Sequence, residues 1–138
     1  MAAADVRDGA ISMTRRAEEE LENRIRQELP SLTESEVRDL ALVVGRLVAA
    51  LDAERIYVFG SQARGEATRD SDIDLLVVVP TTDQPAHRLA QKAYHAAAPH
   101  SLALDILVMP REEFVRRSRA LASLPATVLR EGRTLYAA

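Results

Sequence analysis

The 138-residue chain has no cysteine, no excess of positive charge and no long apolar run. Each absence excludes something. Without cysteine there is no disulfide framework, thiol nucleophile or thiolate metal site, and a reducing cytoplasm is the expected compartment. A net charge of -3 argues against generic nucleic-acid binding, because nonspecific affinity for phosphate backbones comes largely from lysine and arginine. No stretch approaches the roughly 18 apolar residues of a membrane span. The start, Met1 to Ile11, lacks the basic segment and apolar centre of a secretion signal. Neither a membrane nor direct nucleic acid is expected among the partners.

What is present suits a single core. Hydrophobic residues make up 47% and charged residues 28%, ordinary values for one globular domain of this length. The charge is uneven: from Pro110 onward six arginines face three acids, while Met1 to Met109 carries twelve basic and eighteen acidic residues.

Residues Met1 to Met13 are small, mixed and aperiodic, and are expected to form a loose terminus. From about Thr14 to Leu29 the spacing of Ala17, Leu21, Ile25 and Leu29 predicts a helix that Pro30 stops. Ser31 with Glu34, or Thr33 with Glu36, offers a capping box ahead of a second helix. Its wide apolar face comprises Val37, Leu40, Ala41, Val44, Leu47, Val48 and Leu51.

A strand follows at Arg55 to Gly60, then a polar loop, then a strand from about Asp72 to Val79 that Pro80 closes. Thr81 to Pro85 reads as a turn and Ala86 to Ala98 as an alanine-rich helix. Leu102 to Met109 reads as a third, internal strand. A strand, a helix of about a dozen residues and a strand form a parallel crossover, so the second and third strands are expected side by side. The short loop after the first strand calls for an antiparallel pair with at most one or two helical turns between. The tail predicts helices near Glu112 to Arg119 and Leu124 to Arg130, then an extended piece at Arg133 to Tyr136. The expected class is α/β (α+β): a mixed sheet of three core strands plus a short C-terminal strand, flanked by helices, with two helices at the N-terminus.

The chemistry gathers in Gly60 to Asp74. Asp72 and Asp74 lie two apart at a strand start, so both carboxylates face one way and can share an ion. Asp105 interrupts an apolar strand, where a lone buried carboxylate is costly unless paired or metal-bound. The crossover brings it level with Asp72 and Asp74. Such a cluster calls for cations or a proton, and an oxygen-only ligand set points to magnesium or manganese. Gly60 lets the backbone pass close to a ligand, Ser61 can cap a helical turn whose amides hold a phosphate, and Arg64 can add a charged contact. These parts suit phosphoryl or nucleotidyl transfer with two metals.

Gly60-Ser61, ten residues, then Asp72-x-Asp74 resembles the signature of the DNA polymerase beta-like nucleotidyltransferase superfamily. Asp105 stands where that family's third carboxylate falls. The wording Phe59-Gly-Ser-Gln-Ala-Arg-Gly-Glu-Ala, Ser71-Asp-Ile-Asp-Leu and Leu129-Arg-Glu-Gly-Arg-Thr-Leu-Tyr136 is similar to the minimal nucleotidyltransferase branch. The resemblance runs from about Tyr57 to Tyr136. It implies a nucleotidyltransferase domain over residues 53–138, with residues 1–52 as a helical extension packed on it. It also implies an enzyme that moves a nucleoside monophosphate from ATP or another NTP onto a hydroxyl. Gly60 and Ser61 would serve the phosphates, Asp72 and Asp74 two Mg2+ ions (Mn2+ in their place), and Asp105 the catalytic ion and incoming hydroxyl. Relatives in this branch often act as antitoxins beside a helical HEPN toxin, some by adding AMP to a toxin tyrosine, so a HEPN-type partner is expected.

Plainer roles stand beside these. Asp105 could be a structural acid paired with an arginine, and Arg64 a surface ion pair. His87, His95 and His100 show no ligand spacing. Tyr57, Tyr94 and Tyr136 read as core or edge aromatics, any of which could be modified. Arg111, Arg116, Arg117 and Arg119 read as a solvated helix face. The first helix could serve as an oligomer or partner contact. Two rival functions are a module that neutralises its partner by occlusion alone and a small-molecule, antibiotic-type adenylyltransferase. The 29 residues after Met109 leave little for an acceptor-binding domain, which favours an acceptor brought by another protein.

Overall fold

The computed structural model describes residues 4–7, 10–68 and 71–138. Two short strands come first, β1 (Ala4–Arg7) and β2 (Ala10–Met13), paired antiparallel with Val6 opposite Ile11. The loose terminus expected of these segments is thereby corrected. The signal was local: β-branched residues flank Asp8-Gly9, a dipeptide that favours two-residue hairpin connections.

Helix α1 (Arg15–Glu28) starts at Thr14, whose hydroxyl accepts from the Ala17 amide at 3.2 Å. It buries Ala17, Leu21 and Ile25. Of the two possible capping boxes before α2 (Glu34–Leu51), the structure uses Thr33 with Glu36: each side chain bonds the other's backbone amide, at 3.1 and 2.8 Å. Val37, Leu40, Val44 and Leu47 on α2 are buried. Truncating one of these leucines to alanine costs about 2–5 kcal/mol.

The sheet is built from β3 (Arg55–Phe59), β4 (Ile73–Val79), β5 (Leu104–Pro110) and β6 (Arg133–Ala137), in the order β5-β4-β3-β6. A short helix, α3 (Gly60–Arg64), joins β3 to its antiparallel neighbour β4. Helix α4 (Ala86–Ala97) carries the chain to β5, which runs parallel to β4. Helices α5 (Arg111–Ser118) and α6 (Leu124–Glu131) then lead to β6 on the far edge, antiparallel to β3. The mixed α/β class expected from the sequence is therefore observed. One expectation is corrected: β5 is an edge strand, not an internal one. Ile106 and Val108 pack one face on the larger core, while on the other face Asp105 and Leu107 are exposed and Met109 is buried.

Both faces of β4 are covered, which explains its unbroken apolar run. Ile73, Leu75, Val77 and Val79 join Ile56, Val58 and Ile106 in the larger core with residues of α1, α2 and α4. Leu76 and Val78 join Met109, Phe114 and Val128 in a smaller core beneath α5 and α6. There Tyr57 stacks on Phe114, with ring centroids 5.6 Å apart. The turn from α6 into β6 is tight: a Cβ on Gly132 would lie 2.5 Å from the Val128 carbonyl oxygen. Among the described residues no helix is long and apolar enough to cross a membrane.

Asp39 of α2 holds the approach to β5. One of its carboxylate oxygens accepts from the Ser101 amide at 3.0 Å and the Ser101 hydroxyl at 2.9 Å. The amide bond is the main reason its pKa lies below the usual aspartate value. A lowered folded-state pKa gives stability above the unfolded value, about 3.9, that is lost as pH falls through the folded one. Asp39→Ala is therefore expected to lower the melting temperature by a few degrees at pH 7. In thermal melts at successive pH values, the gap from wild type should narrow once pH drops below about 4.

Candidate active site

The polar loop lies at one end of the sheet, between the last residue of β3 and the first of β4. Asp74 is the second residue of β4 and is in register with Phe59 on one side and with Asp105 of β5 on the other. Paired positions in neighbouring strands point their side chains to the same face, about 4.8 Å apart. Asp72 precedes the strand by one residue and faces the same way by the period of two. The sequence reading that began the strand at Asp72 is thus one residue early. Asp72 and Asp105 are exposed and Asp74 is half-buried.

Electrostatics ties the three together. Burial, then the negative charges of Asp105 and Asp72, push the Asp74 pKa above the ordinary value, while Arg64 acts the other way. Among the described residues, no three acidic, histidine or cysteine side chains converge closely enough to form a ready-made ion cage. Three like charges have no reason to converge without a cation between them. Their donor chemistry, carboxylate oxygen only, fits a hard ion such as magnesium.

Gly60 is fitted against this cluster. Its φ is +73°, a conformation that L side chains rarely adopt, and a Cβ there would meet the Asp74 Oδ2 at 2.2 Å and Cγ at 3.2 Å. The glycine in this motif thus brings backbone against the central carboxylate. Ser61 is the second residue of α3 and is half-buried. It does not cap the turn as the sequence suggested. Phe59 occupies the cap position without a side-chain bond, so the Ser61 hydroxyl is not used for capping.

Arg64 is exposed, and its Nε donates to Glu66 Oε1 at 2.8 Å, with Glu131 4.0 Å away. The surface ion pair weighed from the sequence is therefore formed. Arg64 also sits near enough to bias Asp74 electrostatically. Asp105 has no arginine partner among the described residues. Its Oδ1 instead accepts from the Tyr94 hydroxyl at 3.2 Å.

Two contributors were not picked out from the sequence. Gln62, a buried polar side chain on α3, accepts from the Ser31 hydroxyl at 3.3 Å and so anchors the turn to the loop between α1 and α2. Its place between Ser61 and an apolar alanine was the available hint. Tyr94 reaches Asp105 from α4, and nothing in the sequence spacing marks that contact. A cavity of about 660 Å³, lined by Ser31, Thr33, Gln62, Thr68 and Ile73 among others, opens on the other side of the start of β4.

A family model described as nucleotidyltransferase domain matches residues 37–132. The match reaches back into α2, beyond the segment whose motifs carry the resemblance. A Methanocaldococcus jannaschii protein, assigned by inference as a protein adenylyltransferase, is 39% identical over 57 residues. That alignment covers 41% of this chain and 56% of the relative, so the chain spans little more than half of the relative's length. A crystal structure from Sulfolobus solfataricus, of a protein assigned by inference as a nucleotidyltransferase, matches at a TM-score of 0.49 and 27% identity. It covers 60% of this chain and 77% of that one. A chain of a toxin-antitoxin crystal structure with AMP-PNP matches at a TM-score of 0.37 and 22% identity, covering 88% of this chain and 73% of that one.

The fit of Gly60 to Asp74 can be isolated. Gly65 has nearly the same φ, +72°, but nothing within 4 Å of its Cβ position. Gly65→Ala should cost about 1–2 kcal/mol of backbone strain. Gly60→Ala should cost measurably more, with the surplus vanishing when Asp74 is also alanine, as read by denaturant unfolding in a double-mutant cycle.

Proposed function

Because the chain belongs to the nucleotidyltransferase domain family, we propose that it transfers AMP from ATP, or the corresponding group of another NTP, onto a hydroxyl of a partner protein. The observation that carries the reading is the alignment of Asp72, Asp74 and Asp105 at one end of a parallel strand pair, with Gly60 pressed over the middle carboxylate. The likeness to a relative assigned as a protein adenylyltransferase supports a protein acceptor. The motif wording from Gly60 to Asp74 and from Leu129 to Tyr136 supports an antitoxin role, with a HEPN-type toxin as the acceptor.

In this reading Asp72, Asp74 and Asp105 would hold two magnesium ions. When bound, such ions neutralise charge on the triphosphate and lower the pKa of an attacking hydroxyl. The residues of the chain supply orientation. Gly60 permits close approach of the phosphates, and the Ser61 hydroxyl donates to a phosphate oxygen. Arg64, on leaving Glu66, adds a positive contact. Asp105, on the open edge strand, faces the incoming acceptor. The acceptor oxygen bonds to the α-phosphorus, the bond from that phosphorus to the bridging oxygen breaks, and pyrophosphate departs with the electron pair. The acceptor proton passes to a site carboxylate or to solvent.

Intact-mass spectrometry checks the proposal. The protein is incubated with ATP, magnesium and its co-purifying partner, and the partner should gain one AMP. Asp74→Asn should slow the transfer on the order of 10³-fold, since metal stabilisation is worth several kcal/mol. Chelation should abolish it. An unmodified partner that is neutralised equally well by Asp72→Ala and Asp74→Ala variants would instead establish occlusion without catalysis.

A further inference from the structure

We propose that Tyr94 is a positioning residue for Asp105, holding the carboxylate on the edge strand in the orientation that an ion and an acceptor hydroxyl require. The inference rests on the reading of Asp105 as a carboxylate of the transferase site.

Among the described residues β5 pairs with β4 alone, and alternate amides along its outer side have no strand partner there. One of them, the Ile106 amide, donates to the Tyr94 hydroxyl at 2.8 Å. The same hydroxyl donates to Asp105 Oδ1 at 3.2 Å. Its hydrogen and one lone pair are both committed, so the phenol has a defined direction and passes that direction to the carboxylate.

The base of this strut is rigid. Tyr94 follows Ala93, and Leu89, Ala93 and Ala97 bury the inner side of α4 in the larger core. Ile106 packs in that core as well. The ring crosses the sheet edge from the α4 side to the carboxylate side and remains 42% exposed. A side chain needed for core packing alone would be covered. Among the described residues, Asp105 is also the one member of the carboxylate cluster that receives a hydrogen bond from another side chain. It is the member most in need of one, since it sits on an open edge and Asp74 lies between strands. Without the hydroxyl, no side-chain bond among the described residues fixes the direction of the Asp105 carboxylate.

The test uses Mn2+ binding by the intact chain, read from the electron paramagnetic resonance of the free ion, alongside thermal melts. Tyr94→Phe keeps the ring and removes the hydroxyl. Affinity for Mn2+ should fall about 10–100-fold, as for other outer-shell partners of metal ligands, while the melting temperature stays within a few degrees. Adding Tyr94→Phe to Asp105→Asn should weaken binding no further, because the hydroxyl acts through that carboxylate. Wild-type affinity in Tyr94→Phe overturns the inference, whether or not the melt shifts, and so do losses that multiply in the double variant. If Asp74→Asn abolishes Mn2+ binding while Tyr94→Phe leaves it intact, only the positioning role fails. If Asp74→Asn also binds normally, the carboxylate site itself is misassigned and the inference falls with it.

Discussion

The site depends on a contact in which a side chain has been dispensed with. Gly60 turns at positive φ directly over the Asp74 carboxylate, where even a methyl group would lie 2.2 Å from an oxygen. That approach follows from strand register. Asp74 pairs with Phe59, so the residue after β3 must pass beside the carboxylate as the chain enters α3. The same register across the other side of β4 pairs Asp74 with Asp105. A slip of one residue in either ladder would turn a carboxylate to the opposite face and dissolve the cluster.

The rest of the fold keeps those registers from slipping. β4 is locked on both faces, by the large core with α1, α2 and α4 and by the smaller one beneath α5 and α6. Its second residue, Asp74, emerges from this packing at the sheet end, where it is partly desolvated and electrostatically crowded. Gln62, bonded to Ser31, fastens the turn that carries Gly60 and Ser61. The negative cluster is thus set in a frame of apolar burial remote from it, which bears the cost of holding like charges near one another.

Much of this was legible from single residues. The start of α2 was visible as a capping box, because a hydroxyl and its glutamate partner act within three residues, though Ser31 with Glu34 offered the same pattern as Thr33 with Glu36. The carboxylate pairing of Asp74 with Asp105 was legible too, because a strand-helix-strand crossover of that length has one common arrangement. The edge position of β5 was not: its apolar run, Ile106 to Met109, reads the same whether one face or two are covered. The bond from Tyr94 to Asp105 joins residues on different elements and follows from how α4 lies along the sheet, which no local pattern encodes. Arg64 was ambiguous because Glu66, two residues away, competes with any phosphate. The pairing of Val6 with Ile11 had a local cue in the sequence, Asp8-Gly9 between β-branched residues.

The central claim is that the cluster around Asp74 acts on the α-phosphorus of a nucleotide. The most direct measurement supplies ATP labelled at either the α or the γ phosphate to the protein with magnesium and its co-purifying partner. Nucleotidyl transfer requires the α label to become covalently bound to the partner and the γ label to leave as pyrophosphate. Transfer of the γ label, or release of neither from ATP, would contradict the account.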